Sequence, residues 1–217
     1  MSKFGRKGRP PAGFEYLEPT LDALERELRD RVNDPHEGKR RVESLWPVHQ
    51  INWQRSRYVY DMYYRYKKIS KAVFDYCVRN KIIDGPLCAK WRKPGYDRLC
   101  STYVINSKNF NFGSVSICRV PRHSLGEDQV VECPTTGCRG CATGSGPRNI
   151  FGNKYGQFLA RIQIERERRR DDAAELGTKR KRNEDADVVG REPQGPSIWA
   201  EDDDDDDDDG PMPADQA

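Results

Sequence analysis

Five of the seven cysteines in this 217-residue chain lie between positions 100 and 141. Cys138 and Cys141 form a C-x2-C unit with Arg and Gly between them. Two thiolates at this spacing can bind one tetrahedral Zn²⁺ from a tight turn, and the glycine makes that turn easy. Cys133 lies five residues upstream, and either Cys118 or Cys100 can complete a four-sulfur site. The spacing therefore points to structural metal binding.

Other interpretations of the cysteines stay open. The five can be unrelated free thiols in a loop. A dithiol redox motif is a further option, but it expects a strand-to-helix context that Gly-Arg-Gly surroundings do not provide. Cys77 and Cys88 lie in helical patterns, where small buried residues are expected.

Catalytic motifs are not found in the sequence. The three histidines, His36, His49 and His123, form no HExxH motif, and GxGxxG, GKS, GKT and Gly-x-Ser-x-Gly are also missing. We therefore predict no enzymatic activity and no small-molecule substrate.

The elements that must position the cysteines begin with a small helical bundle. A helix starts at Glu18 and ends before Pro35, with an apolar stripe of Leu21, Leu24, Leu28 and Val32. A second pattern runs from about Val42 to Ile69 and allows a bend at Pro47. Ser70 can cap a third helix, and a fourth is expected from Pro86 to Trp91.

The chain beyond Pro94 changes in character. Residues 95–146 are rich in Gly, Ser, Asn and Cys, with short β-prone pieces only at 103–105 and 130–131. A stretch of this length without regular structure normally needs a metal or a partner to stabilise it. Residues 154–176 favour a charged helix, and we expect disorder from Gly177, through KRKR at 179–182 and the aspartates at 202–209.

These patterns predict a mainly α protein. It has a small N-terminal helical bundle, an irregular cysteine-rich segment of zinc-binding type and a disordered acidic C-terminal tail. The expected parts are a basic flexible N-terminus at 1–14, the bundle at 15–94, the cysteine-rich segment at 95–146, a charged helix extension at 147–176 and the tail at 177–217.

The net charge of +3 is a cancellation between two parts of the chain. Residues 1–146 carry 26 Lys and Arg against 16 Asp and Glu, a balance of +10, and residues 147–217 carry 12 against 19, a balance of −7. Such asymmetry suggests contact with a polyanion. No apolar run approaches the roughly 18 residues that span a membrane, and the basic N-terminus lacks the apolar stretch of a signal peptide. We therefore expect reduced thiols in the cytosol or nucleus.

Aromatic and basic residues are interleaved between Trp46 and Tyr66. One helix cannot turn all these rings into one core, so some rings are expected to stack on bases or partners while arginines bind phosphate. A helix buried on several sides is the alternative. The candidate RNA or partner contacts are Arg55, Arg57, Arg65, Lys90, Arg92, Lys93, Arg119 and Arg122.

Several stretches, taken in order, resemble one known family. They are PPAGFEYLEPTLDAL, DPHEGKRRVESLWP, RSRYVYD, ISKAVFDYC, AKWRKPGYDRLC, NFGSVSICRVPR and ECPTTGCRGC. The sequence resembles the bud site selection protein 31 homologues, or G-ten family, from about Pro10 to Gly144. The resemblance implies a small nuclear spliceosome component with a helical N-terminal half and a zinc-binding C-terminal half. It implies a function in pre-mRNA splicing by scaffolding, in contact with small nuclear RNA or pre-mRNA and with splicing proteins.

The sequence departs from this family in its cysteines. Family members carry nine in the C-terminal half, and four of those positions here are Ser101, Val104, Ser116 and Thr136. Five thiolates can saturate only one tetrahedral site, so at most one zinc is expected. The expected ligands are Cys118, Cys133, Cys138 and Cys141, with Cys100 as the remaining candidate.

The resemblance also suggests nuclear import through the basic N-terminus, and the KRKR run adds a second basic cluster. The candidate localisation residues are Lys3, Arg6, Lys7, Arg9, Lys179, Arg180, Lys181 and Arg182. A transcriptional or chromatin regulator with a zinc-ribbon-like module is the competing class. In that class the acidic tail would engage basic partners such as histones.

Overall fold

The structure is a computed structural model that describes residues 8–35, 37–126, 128–143, 149–152 and 158–189. These residues form helices, turns and irregular segments without any β-strand. The predicted mainly α class, with a helical bundle followed by an irregular cysteine-rich segment, is confirmed. No helix among the residues described is both long and apolar enough to cross a membrane.

The first helix, α1, spans Glu18–Asn33 and places a proline in its first turn, where the missing N–H costs no hydrogen bond. Its inner face buries Leu21 and Leu24 against the core, together with Phe14 from the preceding 3-10 turn. Val32 was expected on the same apolar stripe, but its side chain is 53% exposed. The apolar stripe is therefore not buried along its whole length.

The second predicted helix consists of three connected segments. A 3-10 turn at Glu43–Leu45 leads into α2, Trp46–Tyr60, which continues into a π-helical turn at Asp61–Arg65. Pro47 lies in the first turn of α2, where proline is tolerated, so no bend is needed there. The sequence pattern did not predict the π-helical turn.

Two short helices complete the bundle. Helix α3 spans Lys71–Arg79, and the Ser70 side chain accepts a hydrogen bond from the backbone of Val73, as the predicted cap requires. Helix α4 spans Gly85–Trp91 and is capped in the same way by Asp84. The largest buried side chains of the core are Tyr58, Phe14, Leu17, Ile51, Met62, Ile82, Leu87, Leu99 and Ile150.

The cysteine-rich segment is built from short 3-10 turns and irregular backbone. The piece expected to be β-prone at 103–105 lies in the 3-10 turn Thr102–Ile105. Val130, in the second such piece, is 82% exposed. Neither β-prone piece forms a strand in the described part of the chain, in agreement with the predicted irregular segment.

The last helix, α5, spans Leu159–Val189. The sequence placed its start at Lys154, and residues 153–157 lie outside the described ranges. It also placed the end at Leu176 and disorder from Gly177, whereas the helix continues through Gly177 to Val189. The chain up to Glu167 forms one compact unit, and a second unit begins at Arg168. The aspartate run at 202–209 falls outside the described residues.

Candidate functional site

Four cysteine side chains meet in the interior of the first unit. The Sγ atoms of Cys100, Cys118, Cys138 and Cys141 all lie within 4.8 Å of one another, and all four residues are buried. The Cys100 sulfur is 4.0 Å from that of Cys118 and 3.7 Å from that of Cys141. The sulfurs of Cys118 and Cys141 are 3.8 Å apart. We call these four residues the sulfur cluster.

These distances fit a tetrahedral metal site. With Zn–S bonds of about 2.3 Å, neighbouring sulfurs of a regular tetrahedron stand about 3.8 Å apart. The separations of 3.7–4.0 Å among Cys100, Cys118 and Cys141 match that edge, and the Cys138 sulfur lies within 4.8 Å of each of the three. The described residues thus include four thiols that could hold one metal ion.

The electrostatics of the cluster also favour a cation. Hydrogen bonds from Cys100, Cys118 and Cys138 hold the pKa of the Cys141 thiol well below its ordinary value. A hydrogen bond with Cys100 is the main cause that raises the pKa of the Cys118 thiol, and a hydrogen bond with Cys133 adds to it. Without a cation, buried sulfurs this close cannot all carry negative charge. A bound divalent ion would deprotonate a coordinating thiol.

The backbone around the cluster holds these sulfurs in place. The N–H groups of Cys141 and Ala142 both donate to the carbonyl of Cys118, at 2.8 and 3.2 Å. Gly140 adopts a φ of 121° between the paired cysteines, a conformation that a side chain disfavours. The turn between Cys138 and Cys141 is thus the glycine-dependent one that the sequence indicated.

Cys133 stands beside the cluster rather than within it. Its sulfur accepts a hydrogen bond from Ser116 Oγ at 3.1 Å and lies 3.2 Å from Thr135 Oγ1. A hydrogen bond from Cys118, helped by the hydroxyls of Ser116, Thr135 and Thr136, lowers the pKa of Cys133 to about 4. The sulfur cluster therefore contains Cys100, whereas the sequence analysis favoured Cys133 as the fourth ligand.

Two of the positions at which the family resemblance expects cysteine border the same cluster. Ser116 and Thr136 are both buried. Thr136 Oγ1 lies 3.8 Å from Cys100 Sγ, and Ser116 Oγ lies 3.4 Å from Cys118 Sγ. Hydroxyl groups thus occupy space next to the sulfurs, which leaves one four-sulfur site among the described residues.

The Arg119 guanidinium contacts the cysteine segment. Its guanidinium donates to the carbonyls of Cys141 and Gly95 and lies 5.2 Å from the Tyr96 ring centre. A second predicted RNA contact, Arg55, also turns inward: it is half-buried and its Nε has no hydrogen-bond partner. Burial lowers the pKa of Arg55, and the charge of Glu25 partly opposes this shift. Intramolecular hydrogen bonds thus engage the Arg119 guanidinium, and Arg55 is half-buried. Contact of either residue with RNA stays a prediction.

The remaining predicted contacts divide by exposure. Arg57 is half-buried: it donates to the Asp97 carbonyl, pairs with Asp61 and lies over the Tyr60 and Trp91 rings. Lys90 is half-buried with its ammonium 5.6 Å from the Tyr96 ring centre. The exposed members of the set are Arg65, Arg92, Lys93 and Arg122.

A half-buried aromatic surface adjoins these cations. The Tyr60 and Tyr64 rings lie 4.7 Å apart, and Tyr63 stacks on Phe74 at 4.9 Å. The Arg92 guanidinium lies 5.4 Å from the Tyr64 ring centre. We call the set Tyr60, Tyr63, Tyr64, Arg65, Lys67 and Arg92 the aromatic surface.

Tyr60 ends α2 and Tyr64 lies four residues later in the π-helical turn, a spacing at which helical side chains are neighbours. Lys67, which sequence analysis did not select, follows this turn with a φ of 55°. Its ammonium lies 5.8 Å from the Tyr63 ring centre. The two lysines that follow the tyrosines are the sequence feature from which a cation at this position could be predicted.

The candidate localisation residues are only partly described. Arg9 and Lys179 are exposed, and positions 180–182 lie within α5. Lys3, Arg6 and Lys7 fall outside the described residues.

The redox hypothesis for Cys138 and Cys141 finds no matching context. Both cysteines are completely buried and lie in irregular backbone, not at the start of a helix. A reactive dithiol needs an accessible, electropositive position. The geometry thus matches a structural cluster better than a reactive pair.

A helical core joined to a buried four-cysteine cluster, with cations on its surface, defines a small cysteine-cluster protein of structural type. Comparison with known proteins gives the family. Residues 1–143 match the family model described as pre-mRNA-splicing factor BUD31. The chain belongs to this family.

Relatives from plants, animals and fungi agree with this assignment. The chain is 51% identical over 134 residues to protein BUD31 homolog 2 of Oryza sativa subsp. japonica, covering 62% of this chain and 92% of that protein. It is 46% identical over 143 residues to protein BUD31 homolog of Danio rerio, covering 65% and 99%. It is 43% identical over 149 residues to pre-mRNA-splicing factor BUD31 of Saccharomyces cerevisiae, covering 64% and 95%. The extension after residue 143 lies outside the family match.

Proposed function

We propose that this chain acts in pre-mRNA splicing as a non-catalytic component of the spliceosome. The observation that carries this proposal is the family match over residues 1–143. The lack of any catalytic motif in the sequence agrees with a scaffolding role. In that role the helical core supplies a rigid surface for splicing proteins and RNA.

Recovery of the tagged full chain from nuclear extract tests this proposal. Small nuclear RNAs and splicing proteins are the expected companions. A set of partners confined to chromatin would overturn it in favour of a transcriptional or chromatin regulator.

The aromatic surface is the part proposed to face RNA. Its tyrosine rings offer stacking area for bases, and Arg65, Lys67 and Arg92 supply charge for phosphates. Phosphate contacts of this kind position a protein without reading sequence. This surface therefore suits single-stranded or irregular RNA without sequence preference.

The sulfur cluster is proposed to hold one structural zinc ion. Cys100, Cys118, Cys138 and Cys141 would be its ligands, and the ion would stabilise a segment that has little regular structure. The matching sulfur separations support this assignment. Elemental mass spectrometry of the purified protein is expected to find about one zinc per chain. A protein that is folded but free of metal would contradict the proposal.

Nuclear localisation follows from a role in splicing, and the basic residues Lys3, Arg6, Lys7 and Arg9 are the proposed import signal. Replacing these four residues with alanine should leave a fluorescently tagged chain in the cytoplasm. The run at 179–182 is the second candidate, and the same replacement there is the matched comparison.

A further inference from the structure

Residues beyond the family match pack tightly onto the family core. Ile150 and Ala160 are only 1% and 2% exposed. The Phe151 ring meets the Trp53 ring edge to face, with 5.8 Å between ring centres. Leu159 and Ile164 of α5 also pack against the core. The first turns of α5 therefore bury apolar surface that belongs to the core.

Polar contacts fix the register of this packing. The Tyr58 hydroxyl donates to Gln163 Oε1 at 2.6 Å, and the Tyr16 hydroxyl donates to Glu167 Oε1 at 2.5 Å. The Lys68 ammonium lies 3.5 Å from Glu167 Oε2. Gln163 and Glu167 are four residues apart, so both project from one face of α5.

The three core residues come from different elements. Tyr16 lies in the turn before α1, Tyr58 lies in α2, and Lys68 follows the π-helical turn. Together they form what we call the docking surface. The docking surface combines buried apolar side chains with two hydroxyl donors and one ammonium group. It therefore matches a helix that has one apolar face and that carries an amide and a carboxylate four residues apart.

At least one relative has few residues beyond the part that aligns with this chain, so little of its sequence is left to cover the docking surface. The 143 residues aligned to the Danio rerio protein amount to 99% of its length, so few residues remain there for an equivalent of α5. A core of this kind without α5 would expose the apolar area on which Leu159, Ala160 and Ile164 pack here, and exposed apolar patches typically mark interaction sites.

We propose that the docking surface binds an amphipathic helix of a protein partner, and that residues 158–167 of this chain fill it in cis as an internal competitor. The partner helix carries small or aliphatic residues on one face, with an amide and a carboxylate four residues apart. Tethering gives the cis helix a high effective concentration, so a partner must displace it before docking. This proposal is independent of the role in splicing.

Binding of a synthetic peptide of residues 158–176 to the full chain tests the proposal by calorimetry. Wild-type chain should bind weakly, because the surface is filled. The full-chain double variant Gln163→Ala, Glu167→Ala should bind the wild-type peptide at least about tenfold more tightly, because its own helix competes poorly. Adding Tyr16→Phe and Tyr58→Phe to that variant should abolish the gain.

The matched control is Glu165→Ala, because Glu165 is exposed on α5 and forms an ion pair with Arg161 in the same helix. It should bind the peptide no better than wild type. Equal binding by all variants, or an equal gain from Glu165→Ala, would overturn the proposal.

Hydrogen exchange of intact chains provides a second measurement that does not need the double variant to fold. The amides of residues 159–167 should exchange more slowly than those of 168–176 in wild type. Glu167→Gln should accelerate exchange in 159–167, while Glu165→Gln should not. Unchanged exchange in Glu167→Gln would overturn the docking of this segment.

Discussion

The Trp46 ring lies directly against the backbone of Gly137, joining the start of α2 to the cysteine-rich segment. A Cβ built on Gly137 would come within 2.7 Å of the ring, and the residue has a φ of 64°. The Trp46 indole also donates to the Pro134 carbonyl at 2.8 Å. Only glycine allows this approach, since a side chain would meet both steric overlap and backbone strain.

Gly137→Ala is therefore expected to lower the free energy of unfolding by about 2 kcal/mol, through overpacking against Trp46 and a left-handed backbone. Chemical denaturation measures the change. The matched control is Gly126→Ala, which has open space around the added methyl group and should be close to neutral. Equal effects of the two substitutions would show that neither the Trp46 contact nor the left-handed backbone penalises a side chain at position 137.

The sulfur cluster predicts different outcomes for two cysteines separated by five positions. Cys138→Ser should abolish the proposed zinc binding and destabilise the fold, because three sulfurs cannot complete a tetrahedral site. Cys133→Ser should retain about one metal ion per chain, since the Cys133 sulfur lies beside the cluster. Elemental analysis and thermal unfolding provide the two readouts. Metal lost in Cys133→Ser but kept in Cys100→Ser would reverse the ligand assignment.

Arg119 donates to the part-buried carbonyl of Cys141 and the exposed carbonyl of Gly95, so Arg119→Met should destabilise the protein by about 1 kcal/mol, mainly through the lost bond to Cys141. Arg119→Lys should recover part of that loss, because one ammonium can reach fewer partners. Lys108→Met, at an exposed position, is the control for removing a charge. If Arg119→Met weakened RNA binding without changing stability, Arg119 would be a surface contact after all.

Burial raises the pKa of Tyr58 to about 12, above its ordinary value near 10. A group with a raised folded pKa contributes stability that is complete below the unfolded pKa and is lost as pH rises towards the folded value. Tyr58→Phe should therefore cost about 1 kcal/mol near neutral pH, through the lost hydrogen bond to Gln163. Unfolding measured at several pH values should show that cost shrinking between about pH 10 and 12. A cost independent of pH would mean that Tyr58 ionises normally in the fold.

The aromatic surface predicts a salt-dependent RNA affinity. Reversing charge with Lys67→Glu and Arg92→Glu should weaken binding to single-stranded RNA by at least about tenfold at low salt, and reduce the slope of affinity against salt. Arg26→Glu with Arg31→Glu, at exposed positions of α1, changes the net charge equally and should have a smaller effect. Equal losses in both double variants would show that net charge alone attracts RNA.

Local patterns predicted much of the bundle. Some features depend only on residues a few positions apart, so the local sequence predicts them. They include the Ser70 cap, the prolines in first turns and the glycine between Cys138 and Cys141. The family resemblance and the mainly α class followed from such segments.

Other features depend on residues far apart in the chain. Cys133 is close in sequence to Cys138 and Cys141, so spacing favoured it over the distant Cys100 as a ligand. Spacing does not show which sulfur lies nearest to the other three in the fold. The sequence predicts Arg55 and Arg119 as RNA or partner contacts, but it does not show that Glu25, 30 residues away, lies near Arg55, or that the Cys141 carbonyl, 22 residues away, accepts from Arg119. The π-helical turn at Asp61–Arg65 likewise has no distinctive sequence pattern.

The indoles of Trp53 and Trp91 both donate to the carbonyl of Leu99, at 2.9 Å each. The next residue in the chain is Cys100, whose sulfur belongs to the cluster. Any change of the cluster that moves this backbone therefore alters the polarity around two buried indoles. The intrinsic tryptophan fluorescence of the protein is therefore expected to respond to changes in the sulfur cluster without an added label.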